Sequence, residues 1–191
     1  MIFEALSCLA DEMNVHFRNK LNLNEEKVVL SAIMNQDGTI AIQGENKVVI
    51  TLVNIEKEPV IANRLPLGRS QENSSQPVSI NLYVLFSCYF SGGNYAEALR
   101  FISFVISFLQ EKNVFTSANT PKLDSAIEKL SFEMESPGAE KLNNIWATLG
   151  AKYMPSVLYK MRMLSFDGYN IKEYRPSISA TDGEAAPRPL E

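Results

Sequence analysis

His16 is the only histidine in the chain, so a Ser–His–Asp, Cys–His or multi-histidine metal arrangement would have to run through it. It stands near the end of an apolar-periodic segment with no nucleophile motif around Cys8, Cys88 or any serine, which points to a surface or packing role. Glu25 with Glu26, and Glu133 with Glu135, could supply paired carboxylates for acid–base work. Only the second pair falls on one side of a strand pattern, and solvated faces are the expectation for both. Gly92–Gly93 follows a strand pattern and precedes a helix pattern, as a phosphate-binding loop would, but neither GxGxxG nor GxxxxGKS is present and a tight turn explains it. No catalytic, cofactor-binding or metal-ligating residue is assigned from the sequence, and the chain reads as a non-enzyme.

The elements around these residues read as an α+β domain. Ile2, Leu6, Leu9, Met13 and Phe17 recur at helical spacing and predict a helix from Ile2 to Lys20, with Glu4, Ser7, Asp11, Asn14 and Arg18 on the opposite face. Lys27–Ile33 and Lys47–Ile55 are β-branched strand patterns around a turn signal at Asn35–Gly38. The second run is apolar on both parities through Ile55, which predicts cover on both faces. Pro77–Phe90 alternates cleanly, with Ile80, Leu82, Val84, Phe86 and Cys88 on the parity expected to face the core.

Asn94 with Glu97 three residues on resembles a capping box opening a helix to about Lys112. Leu99, Ile102, Val105, Ile106 and Leu109, broadened by Phe101, Phe104 and Phe108, make it the expected core helix. After a loop at Thr116–Pro121, Ile127–Met134 alternates as a strand, with Leu130, Phe132 and Met134 facing away from Lys129, Ser131 and Glu133. From Glu140 the period changes midway. Leu142, Ile145, Trp146 and Leu149 are helical, Gly150 stops the helix, and Pro155 opens a strand in which Val157, Tyr159, Met161 and Met163 alternate with Lys160 and Arg162. Strands clustered around few helices, without regular βαβ alternation, predict a mixed or mainly antiparallel sheet with helices packed on one side. One domain over residues 1–170 and a Pro, Ser, Ala and Gly-rich flexible tail over 171–191 are expected.

The composition supports this reading. With 191 residues and 46% hydrophobic content the chain can bury a substantial core. Its 22 acidic against 18 basic residues argue against a phosphate-tracking nucleic-acid surface. No run approaches the roughly 18 apolar residues of a membrane span. Glu4, Asp11 and Glu12 interrupt any signal-peptide core, so synthesis in a reducing cytoplasm is expected, with Cys8 and Cys88 as buried thiols.

The segment NNIWATLGAKYMPSVLYKMRML resembles the closing part of a family of small proteins encoded with contractile injection systems, the caps or tail terminators of phage-tail-like particles. ENKVVITLVNIEKE from Glu45, the Pro77–Pro121 blocks PVSINLYVLFSCYF and NYAEALRFISFVISFLQEKNVFTSANTP, and IEKLSFEMES from Ile127 are similar to the same family. Together the blocks span most of Met1 to Phe166. They are packing motifs and mark no site. The resemblance implies a structural subunit that forms a six-membered ring with copies of itself on the terminal tube or sheath layer, alone or with a second cap paralogue. The particle so closed is one that can be released from the cell.

With assembly implied, the interface candidates are Arg64 and Arg69 in the polar stretch after Glu56, Tyr83 and Tyr89 on the less apolar parity of their strand, Lys152 and Tyr153 in the turn before the last strand, and Lys160 and Arg162 on it. A baseplate or cargo-loading adaptor of the same particle is the alternative reading. A small hydrolase is a third, and it would need a polar pocket centred on His16.

Overall fold

The structure, a computed structural model, describes residues 1–58 and 79–165. Helix α1 spans Ile2–Leu21 and ends as Asn22 turns left-handed at φ 52. Strands β1 (Val28–Leu30), β2 (Lys47–Lys57) and β3 (Ser79–Tyr89) follow, then helix α2 (Tyr95–Glu111), β4 (Val114–Thr116), β5 (Ile127–Glu135), helix α3 (Ala139–Thr148) and β6 (Ser156–Ser165). The strands form one sheet in the order β1-β2-β3-β6-β5-β4. Among the described residues only β1 and β2 run parallel, and every other pairing is antiparallel. This is the expected α+β class with a mixed, mainly antiparallel sheet.

Strand periodicity divides the core into two layers. Val48, Ile50, Leu82, Val84, Phe86, Tyr159, Met161 and Met163 point to the face covered by α1 and α2, where they meet Leu9, Met13, Phe17, Phe101, Val105 and Phe108. Val49, Leu85 and Leu158 point the other way and pack under Ile145 and Trp146 of α3, joined by Ile33 and Ile42 from the segment between β1 and β2. The two long helices therefore share one side, but the short α3 lies on the opposite side, which corrects the expectation that the helices pack on one side of the sheet. Gly150, at φ +67, ends that run as its N–H bonds the Ala147 carbonyl.

Several local expectations are corrected. Asn14, expected on the polar face of α1, is buried and bonded to the backbone of β1. The β3 strand has both faces covered: Leu85 and Ser87 on the second parity are fully buried, because α3 takes the layer the alternation assigned to solvent. The cover on β2 fails at Ile55, which is half exposed and belongs to neither core cluster. The register shift between Leu52 and Asn54 precedes it, and a bulge of this kind bends a strand and resets which face each residue meets.

Leu99 and Met134 are likewise nearly half exposed, the first at the margin of the buried arc of α2, the second near the end of β5 beyond its pairing with β4. The capping box at α2 is not formed. Asn94 Nδ2 donates instead to Ser91 Oγ at 3.0 Å, and Glu97 pairs with Arg100 at 3.2 Å. Strand β4 was not anticipated, since three residues carry no readable period. The strand assigned from Pro77 begins, within the described residues, at Ser79.

Candidate functional site

Antiparallel registry aligns β5, β6, β3 and β2 into rows of side chains on the α3 face. One row runs Glu133, Lys160, Tyr83, Asn54, each directly opposite the next. The adjacent row runs Ser131, Arg162, Asn81, Glu56. Directly paired residues sit close enough to interact on one face, so two of the sequence candidates, Tyr83 and Lys160, are immediate neighbours and Arg162 lies one row away. Glu56, Glu58 and Lys141, not named from the sequence, complete this polar surface together with Glu133, one of the paired carboxylates, while Asn81 in the second row is itself buried. The alternation of Asn54 and Glu56 with Ile55 was the readable signal for β2, whereas Lys141 reaches the surface only because α3 crosses this side of the sheet.

The surface is held by specific contacts. The Tyr83 hydroxyl donates to Glu56 Oε2 at 2.9 Å, and the Lys141 ammonium stands 5.4 Å from the centre of its ring. Acceptance of that hydroxyl proton by the Glu56 carboxylate, with burial second, raises the Tyr83 pKa above the ordinary tyrosine value. Arg162 Nε pairs with Glu58 Oε1 at 2.8 Å, and Glu58 also accepts from Ser79 Oγ. Lys160 makes no ion pair among the described residues. The result is a mixed-charge, hydrogen-bonded sheet face, a chemistry suited to recognition.

The other candidates lie apart. Tyr89 shares the face of Tyr83 but stands six residues along β3, roughly 20 Å away at the rise of an extended strand. There the Cys88 N–H bonds the Pro155 carbonyl, bringing β3 to the turn that carries Lys152 and Tyr153. Tyr153 is exposed and meets the Trp146 ring edge-on, with centroids 5.7 Å apart. Tyr89, Lys152 and Tyr153 thus belong to a second group at the other end of α3. Arg64 and Arg69 lie outside the described residues, as does the tail over 171–191.

The groups tested for chemistry are not assembled into a reactive site. His16 packs edge-on against Phe108 with ring centroids 5.0 Å apart. Cys8 and Cys88 are free and buried. Burial raises the Cys88 thiol to about 12, and burial, followed by the nearby Glu12 and Asp11 charges, raises Cys8 as well, so both are held as thiols. Among the described residues, no group of three or more His, Cys, Asp or Glu side chains could hold a metal, and no helix is long and apolar enough to cross a membrane. A shallow groove of about 190 Å³ between α3 and the sheet is lined mainly by Leu85, Met134, Pro137, Leu142, Val157 and Leu158, with Glu135 its one ionisable side chain.

The domain is an α+β sheet with a core layer on each face and a polar patch over β2, β3 and β6 beside α3. The chain belongs to the Pvc16 N-terminal domain family, whose model matches residues 5–180. Its fold is similar to that of the PVC sheath/tube terminator of an extracellular contractile injection system in the extended state, with TM-score 0.57 and 17% identity over 100% of this chain and 63% of that one. It is also similar to the anti-feeding prophage cap, a tube-terminating cap, with TM-score 0.53 and 14% identity over 95% of this chain and 61% of that one. The chain thus spans a little over three fifths of each of these structures. No curated protein matches it.

Proposed function

We propose that this chain is a cap subunit that closes the tube and sheath of a contractile injection particle and acts by binding, without catalysis. The family match over residues 5–180 carries this reading, and the likeness of fold to two terminator chains supports it. A helical tube grows through heterologous contacts that never close, whereas a ring of cyclic symmetry offers the growing end one matching face and no further docking site. Six copies of this chain in such a ring would arrest polymerisation and set the finished length. Its partners are then itself and the terminal tube and sheath subunits, with a second cap paralogue as a further candidate. It is made in the cytoplasm and leaves the cell only as part of the particle.

The polar face built by Tyr83, Lys160 and Arg162 is the proposed docking surface. Electron microscopy of particles from a strain lacking this protein tests the role. Overlong, unstable or missing particles are expected, because tube and sheath subunits would still polymerise but would not stop correctly. Particles of normal length with closed ends and stable sheaths would overturn the reading, and a defect confined to the baseplate or cargo would assign the chain to an adaptor role instead.

A further inference from the structure

No further inference is drawn: the strongest candidate, the outer edge of β2 from Val53 to Lys57, beyond the end of its pairing with β1, carries nothing because its bulge and Lys57 already blunt it and nothing in the structure shows what covers it.

Discussion

Asn14 and Val28 are joined by two hydrogen bonds, the Asn14 amide donating to the Val28 carbonyl at 2.8 Å and its Oδ1 accepting the Val28 N–H at 2.9 Å. The same oxygen accepts from the Lys27 N–H at 3.0 Å. Strand β1 is three residues long and has β2 on one side only, so the side chain of α1 supplies on its other side what a neighbouring strand would. Asn14→Ala would leave these buried backbone groups unpaired, at an expected cost of about 1–3 kcal/mol. Asn14→Asp should also destabilise, since it keeps the acceptor but loses the donor to the Val28 carbonyl. Urea melts with an unchanged midpoint for the alanine variant would reject this anchoring role.

Trp146 fills the layer between α3 and the sheet at 4% exposure, and its Nε1 is buried without a hydrogen-bond partner. Trp146→Ala should cost about 3–5 kcal/mol, the usual range for emptying a large aromatic site. Trp146→Phe should cost much less, because the indole N–H contributes no bond here. Denaturant melts followed by circular dichroism separate the two variants. A loss below about 1 kcal/mol for the alanine change would remove Trp146 from the core.

These two residues mark how much the sequence makes legible. Trp146 stands on a helical stripe with Leu142, Ile145 and Leu149, and a period shared by four residues reports burial directly. Asn14 sits on the polar side of an otherwise regular helix, and its burial depends on a strand 14 residues away in sequence, which no local period encodes. The proposed docking face divides the same way. Tyr83, Lys160 and Arg162 were readable from strand parity, whereas their registry with Glu133, Ser131, Asn54 and Glu56 is set by the strand order, and Lys141 by the side of the sheet that α3 crosses.

Cys88 makes the fold sensitive to alkali. Its thiol is raised to about 12 in the folded chain from an ordinary value of 9.0, through burial. The folded state therefore holds a proton that the unfolded state releases between these values. This contribution to stability is complete below about pH 9 and is lost progressively as pH rises towards 12. Cys88→Ala should flatten that part of the decline in chemical melts, after allowance for its general cavity cost. In the native protein at pH 8, alkylation of Cys88 should proceed only as fast as the chain opens, and rapid labelling of the folded protein would contradict the buried thiol.

His16 should be dispensable for assembly. His16→Gln removes the edge-on contact with Phe108, an interaction of about 0.5–1.5 kcal/mol in comparable aromatic pairs, and touches no reactive group. A small shift in melting midpoint with normal particle formation is expected. Loss of a measurable activity in a variant that remains folded would instead favour the hydrolase reading.

Lys160 offers the cleanest test of the proposed docking face, because it lies between Glu133 and Tyr83 in the cross-strand row and makes no ion pair among the described residues. Arg162 is less informative, since reversing its charge would also set a carboxylate against Glu58, its present partner at 2.8 Å. Lys160→Glu would place like charges opposite one another at Glu133, a penalty of up to about 1 kcal/mol on a sheet surface, so the domain should stay folded. If this face docks on the tube or sheath, the variant should bind purified tube or sheath ends at least about tenfold more weakly, a loss of about 1.4 kcal/mol. Part of that deficit should disappear at high salt, where screening weakens both attraction and repulsion between exposed charges. Lys152→Glu, in the second group beside Tyr153, serves as the matched change of charge at the other end of α3. Co-sedimentation with polymerised tube and sheath distinguishes the surfaces. Unchanged binding by Lys160→Glu together with weakened binding by Lys152→Glu would move the docking site to Tyr89, Lys152 and Tyr153.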